Sequence, residues 1–266
     1  MTNFLRNIYT NLTSKSYFLT IFLLIFCNYL HAGMDSKILS KWLDSSDFIT
    51  KITALKTIEK QKNVELIPKI INLLKKDSNE DVRKQCAICL GSIGSEDVVL
   101  PLLDSIETDI STNVKEAGVI SLGKLKYPSS LSKLIEFLDK DFSKNRTIRV
   151  GIVYAIGEIG INNENTRNVL INMLGDDDKE VRKEAIKSLE KIKEWNAQYL
   201  IINMVEAEPF VDVRLQALDT LSRIGGKRII NELEMIRKNI TKEKFFEVRD
   251  KIPKVIQEIK KREGVK

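Results

Sequence analysis

One arrangement of apolar and polar positions returns seven times along this chain, at intervals of 32 to 35 residues. A β-branched residue is followed by a base, a small residue four positions on, and Leu or Ile near the eighth and eleventh positions. Val82-Arg83 leads to Cys86, Leu90 and Ile93, and Val114-Lys115 leads to Gly118, Leu122 and Leu125. Ile148-Arg149, Val181-Arg182 and Val213-Arg214 repeat the phrase; Thr50-Lys51 opens the series and Val248-Arg249 closes it. Its apolar positions fall within about 80° of a helical wheel, so each phrase predicts a helix with one apolar stripe. A fixed period of this size marks a stacked solenoid.

A second helix is predicted upstream in each unit. Asn63-Val64-Glu65-Leu66-Ile67-Pro68 opens one that continues through Ile70, Ile71, Leu73 and Leu74, and Asp97 to Pro101 repeats the opening 33 residues later. Pro suits the first turn, whose amides lack intrahelical partners. A polar turn, Asp77-Ser78-Asn79-Glu80-Asp81, then leads into the Val-Arg helix. Neither helix buries its face alone, so neighbouring units must stack.

Glu80-Asp81-Val82-Arg83 with Cys86, Leu90-Gly91 and Ile93-Gly94 resembles the HEAT repeat, in particular its bacterial phycobilisome-lyase-type form. Asp212-Val213-Arg214 with Ala217, Leu221 and Ile224-Gly225 matches equally well. The resemblance covers residues 34–262 and implies an all-α, right-handed solenoid of about six to seven stacked hairpins, with the second helix of each on the concave face. It specifies the fold and not the activity, because this repeat serves scaffolds, adaptors and a few enzymes.

Residues 1–32 stand apart from the repeat domain, 33–266. They hold Arg6 and Lys15, no Asp or Glu, and a 14-residue apolar run from Tyr17 to Leu30 that ends at Leu30-His31-Ala32. That pattern predicts a signal peptide and an exported, periplasmic protein, or a membrane-anchored one if the segment is kept. The run is shorter than the roughly 20 residues that span a bilayer. Leu24-Ile25-Phe26-Cys27 also approaches a lipid-attachment motif, with bulky Phe26 where a small residue is usual. Residues 226–266 carry 13 bases and 7 acids, whereas residues 33–225 carry 28 and 30. The basic balance of the chain therefore belongs to its tail.

The bases after the β-branched residues form a ladder: Lys51, Arg83, Lys115, Arg149, Arg182, Arg214 and Arg249. Acids stand in the intervening turns (Asp77, Asp109, Asp141, Asp176, Glu208), so the ladder is expected to be structural, each base pairing within or between units. Candidate chemistry is sparse. Cys86-Ala-Ile-Cys89 lies mid-helix, where burial rather than thiolate stabilisation is expected. The lone His31 lies in the leader, and HEAT-type hydroxylases need paired His-Glu motifs, which are missing. Asp176-Asp177-Asp178 lacks the spacing and Gly of a calcium loop and reads as a turn with capping acids. No cofactor, metal or catalytic residue is predicted.

The position six after the β-branched residue should face the concave solvent. Three consecutive units place Ile88, Ile120 and Tyr154 there, with Val150 beside Tyr154, whereas Lys56, Lys187 and Asp219 flank them. Three positions further lie Gly91, Gly123 and Gly157, expected to leave bare backbone beside the apolar strip. Such a strip fits a groove for an extended peptide or amphipathic helix, or else completes the core between repeats. The last helix, 247–263, turns Val248, Ile252, Val255, Ile256 and Ile259 inward and Lys251, Lys254, Lys260, Lys261 and Arg262 outward, with Pro253 expected near its first turn. It reads as a capping unit, or as a contact for anionic lipid.

The expected function is therefore non-catalytic binding of another protein or peptide by a monomeric scaffold in an extracytoplasmic compartment. Peripheral membrane association through the basic tail is one alternative. A nucleic-acid binder or a bilin-lyase-like enzyme of the same repeat type is another, although no nucleic-acid partner is expected.

Overall fold

The computed structural model describes residues 34–139 and 144–265. The predicted leader, Asp141 and Lys266 lie outside them. Fourteen α-helices, paired into seven hairpins, make up the described residues, and none of these residues forms a strand. The helices are α1 (Ser36–Leu43), α2 (Phe48–Gln61), α3 (Ile67–Lys76), α4 (Glu80–Ile93), α5 (Val99–Thr108), α6 (Thr112–Leu125) and α7 (Leu131–Asp139). They continue as α8 (Arg146–Ile159), α9 (Glu164–Asn172), α10 (Lys179–Lys191), α11 (Gln198–Ala207), α12 (Val211–Ile224), α13 (Ile230–Asn239) and α14 (Phe246–Glu263).

Local sequence sets the ends of these helices. Asp47, Asn79, Asn145 and Asp178 each accept hydrogen bonds from the first amides of α2, α4, α8 and α10. Such caps satisfy donors that the helix itself leaves unpaired. At the other end, Gly94 and Gly160 close α4 and α8 in the left-handed region. Lys62, Lys126 and Lys193 take the same backbone shape at the ends of α2, α6 and α10, with φ of 54°, 59° and 57°. A non-glycine residue there crowds its Cβ against the carbonyl, at about 1 kcal/mol.

Each second helix packs on its own first helix and on the second helices before and after it, from α2 to α14. Successive first helices meet far less. A stack that is closer along one row curves toward that row, so the second helices form the inner, concave wall. The core is one continuous band in which the β-branched positions Val82, Val114, Val181, Val213 and Val248 are fully buried. It is the burial that neither helix of a hairpin achieves by itself.

Pro253 departs from the sequence expectation. α14 begins at Phe246, which places Pro253 eighth in the helix and beyond its first turn. Its missing amide leaves the Arg249 carbonyl without the usual helical donor. Pro253 is exposed, so water can reach that side of the helix.

Candidate interaction surface

The base ladder forms the edge of the wall. Lys51 reaches Asp77 at 2.6 Å, Arg149 reaches Asp176 at 3.0 Å, and Arg182 reaches Glu208 at 2.6 Å. Arg83 holds Asp109 through Nε at 2.7 Å and Nη2 at 3.0 Å. Each of these pairs joins the second helix of one unit to the turn of the next. Arg83 and Arg182 also donate to carbonyls of their own turns, Asp77 and Ser78 or Asp176 and Asp177. Lys115 donates to the Glu107 carbonyl at 3.2 Å, and its expected partner Asp141 lies outside the described residues.

Arg214 ends the acidic series differently. The next turn offers no carboxylate at the matching place, and the guanidinium stacks 3.8 Å from the centre of the Phe245 ring while donating to the Val205 and Glu208 carbonyls. Burial pulls its pKa below the usual guanidinium value, against the raising effect of nearby Glu208. Arg249 pairs with Asp250 at 2.9 Å and lies over Phe246.

On the inner face, Ile88, Ile120, Val150 and Tyr154 are all half-buried. Ile88 and Val150 also pack against the core. Charges organise the surface around Tyr154. Lys191 Nζ sits 4.6 Å from the ring centre, within cation–π range. The same Lys191 bonds Glu158 at 2.6 Å, and Lys126 bonds Glu158 from the other side at 2.8 Å. The Lys126 and Lys191 bonds together hold the Glu158 carboxyl below the ordinary range, against its partial burial. Glu184, buried, pairs with Lys187 at 3.1 Å. This mesh joins α6, α8 and α10, and the apolar pattern alone did not reveal it. Nothing in the sequence singles it out, since Lys62 and Lys193 hold the same position as Lys126 in their own units.

Gly91, Gly123 and Gly157 do not line a groove, contrary to the sequence expectation. They are buried where successive second helices nearly touch. A Cβ at Gly91 would fall 2.3 Å from Ser121 Cβ, one at Gly123 2.9 Å from Ala155 Cα, and one at Gly157 2.6 Å from Ser188 Cβ. Ser121 and Ser188 donate across these contacts to the Ala87 and Val153 carbonyls, both at 2.9 Å. The Gly123 gap also admits the edge of the Tyr154 ring, since a Cβ there would lie 3.0 Å from Tyr154 Cε1. Where the glycine is replaced by Glu190, the carboxylate takes Thr220 at 2.9 Å and Arg223 at 2.9 Å, and a polar cleft of about 310 Å³ opens between α10 and α12. A larger cleft, about 430 Å³, lies over the Arg83–Asp109 pair, both already engaged.

The remaining candidates are structural in their surroundings. Cys86 and Cys89 are free and buried. Burial pushes the Cys86 thiol well up, and pushes Cys89 up to about 12, so neither is poised as a thiolate. Asp178 caps α10, while Asp176 and Asp177 both meet Arg149. No cluster of metal-ligating side chains occurs among the described residues, and no helix among them is long and apolar enough to cross a membrane. In the tail, Lys251 bonds Asp219 at 2.7 Å, and Arg262 donates to the Ser222 and Gly225 carbonyls. Lys254 and Lys261 are exposed and Lys260 is half-buried.

A curved stack of helical hairpins with an inward row of second helices defines an α-solenoid. The HEAT repeats model matches residues 36–119, 67–150, 143–206 and 167–252, and the chain belongs to that family. Among solved structures, it is similar to a complex of CpcE and CpcF of phycocyanin lyase from Nostoc sp. PCC7120. That match has a TM-score of 0.56 and 18% identity, covering 84% of this chain and 95% of that one. A computationally designed armadillo repeat protein for modular peptide recognition matches with a TM-score of 0.45 and 18% identity, over 70% of this chain and 98% of that one. Human deoxyhypusine hydroxylase matches with a TM-score of 0.39 and 16% identity, over 82% and 83%. No curated protein matches the sequence.

Proposed function

We propose that this chain is a non-catalytic scaffold that binds another protein or peptide along its concave wall, in an extracytoplasmic compartment. The observation that carries the reading is the strip Ile88, Ile120 and Tyr154, half-buried on three neighbouring second helices and bracketed by Lys56 before and Lys187 after. Apolar anchors within a charged border suit recognition in which the anchors give affinity and the charges set register. The ion-pair ladder supports the reading by holding the units in register, so that a long surface is presented with little ordering cost. The compartment is read from the n-region and apolar run of residues 1–32.

The anionic-lipid reading has less support, because Lys251 and Arg262 are engaged with the preceding unit. The likeness to phycocyanin lyase subunits carries the fold alone at this identity.

In-cell photo-crosslinking from position 154, with mass spectrometry of the product, tests the proposal. The expected result is one discrete exported protein captured from 154 and not from Leu100, an exposed position on α5. Crosslinks confined to the chain itself would instead make Tyr154 part of the packing between repeats.

A further inference from the structure

The sixth position after each β-branched residue points away from the buried stripe, and the tenth lies one turn further along the same side of the helix. Across the seven second helices these positions hold seven bases and three acids, although residues 33–225 as a whole carry slightly more acid than base. The bases fall around the apolar strip: Lys56 and Lys60 precede it, Lys124 flanks Ile120, and Lys187, Lys191 and Arg223 follow Tyr154. Of the acids, Glu158 is covered by Lys126 and Lys191, and Asp219 by Lys251. Lys56, Lys60 and Lys124 are exposed, and no carboxylate among the described residues pairs with them. Lys187 pairs with Glu184, Lys191 with Glu158 and Arg223 with Glu190, so the uncompensated positive charge around the strip is that of Lys56, Lys60 and Lys124.

Resting on the concave-groove reading, we propose that the occupant is an acidic protein segment: an aromatic or aliphatic anchor against Ile120 and Tyr154, with Asp or Glu residues directed at Lys56, Lys60 and Lys124. Charge complementarity of this kind steers encounter and rejects basic segments. Neighbouring helices sit about 10 Å apart, so the span from α2 to α10 is on the order of 40 Å. An extended segment of about 12 residues covers that length. Nucleic acid fits less well, because the centre of the wall is aliphatic with one tyrosine, whereas single strands want successive aromatic platforms.

Selection of random 12-residue peptides on the full chain tests this, with affinities of the enriched peptides measured by fluorescence anisotropy. The expected peptides carry Asp or Glu around an apolar anchor, and bind about tenfold more weakly as salt rises from about 0.05 to about 0.5 M. Reversing three exposed, unpaired bases (Lys56→Glu, Lys60→Glu, Lys124→Glu) leaves the internal ion pairs intact and should shift selection toward basic peptides. Enrichment that ignores flanking charge, or is unchanged by the reversal, overturns the acidic occupant while leaving the groove standing. Failure to enrich any peptide, or binding that survives Ile120→Glu with Tyr154→Glu, overturns the groove reading itself. A random single-stranded oligonucleotide pool, offered in parallel and bound more tightly than any peptide, would replace the acidic segment with nucleic acid.

Discussion

Arg83 of α4 grips Asp109, 26 residues ahead in the turn of the next unit, with two parallel nitrogen–oxygen bonds at 2.7 and 3.0 Å. Both side chains are about nine-tenths buried. A bidentate pair in that setting fixes the relative register of two hairpins, beside their apolar contact, the Ser121 bond to the Ala87 carbonyl and the exposed Lys75–Asp104 pair. Arg83→Met should cost about 3 kcal/mol, because it strands the Asp109 carboxylate away from water. Arg83→Met combined with Asp109→Leu should recover most of the loss. Urea denaturation of the three chains checks both values.

The same pairs predict the acid limb of stability. Burial opposes ionisation of Asp109, but the bond from Arg83, the Ser111 amide and the nearby positive charges outweigh it and leave the pKa below the ordinary range. Glu158 is also lowered, by Lys126 first and Lys191 second. Carboxylates with depressed folded values contribute stability that is present above their unfolded pKa near 4 and is lost as pH falls through the folded value. Melting temperature should therefore be insensitive to these groups between about pH 5 and 8 and fall below about pH 4. Asp109→Asn should start lower and show a shallower acid decline.

At Gly157, α8 and α10 are so close that a Cβ would lie 2.6 Å from Ser188 Cβ and 2.9 Å from its Cα. Gly157→Ala must push the helices apart and should destabilise the chain by about 1–3 kcal/mol. Adding Ser188→Gly removes the side-chain clash and leaves the backbone contact, so recovery should be partial. Chemical denaturation gives the energies, and small-angle scattering should report a more open arc for the single variant.

The lysines in the left-handed backbone make the opposite prediction. Lys193 ends α10 with φ of 57°, where Gly94 and Gly160 serve α4 and α8. Lys193→Gly should stabilise the chain by about 1 kcal/mol. Lys126→Gly gains the same relief but loses the bond to Glu158, so its net effect should be smaller. Thermal melts of the two variants side by side separate the backbone effect from the ion pair.

The fold was legible because the repeat writes the same stripe seven times, and the ladder because Lys51, Arg83, Arg149 and Arg182 each have an acid 26 or 27 residues downstream. Arg214 broke that rule, and Phe245 replaces the acid through a cation–π contact that spacing does not encode. The glycines were misread for a geometric reason. On a wheel, the position of Gly123 can point to solvent or to the next helix, and only the distance between α6 and α8 decides. The start of the last helix was read to within a residue, but Pro253 stands seven residues beyond it, about two turns in, where its ring no longer falls among the unpaired first-turn amides. The basic bias of the hollow was hidden by the near-neutral total of the body, since it emerges only once inward positions are separated from the rest.

Ile120 and Tyr154 decide between surface and core. Both are half-buried, and neither has the complete burial of Val119, Ile152 or Val153 beside them on the same helices. A carboxylate at a fully buried site would cost several kcal/mol, whereas one at a half-solvated site keeps much of its hydration. Ile120→Glu with Tyr154→Glu should therefore retain the helical signal and melt within a few degrees of the parent. Partner capture should be abolished, because two anchors are lost and two negative charges are placed where an acidic segment is expected. Tyr154→Phe provides the matched control, keeping the ring under Lys191 and hence the capture. A sharp fall in helicity or melting temperature for the double variant would show that these side chains complete the packing between repeats, and would move the search for a binding surface to the exposed lysines of α14.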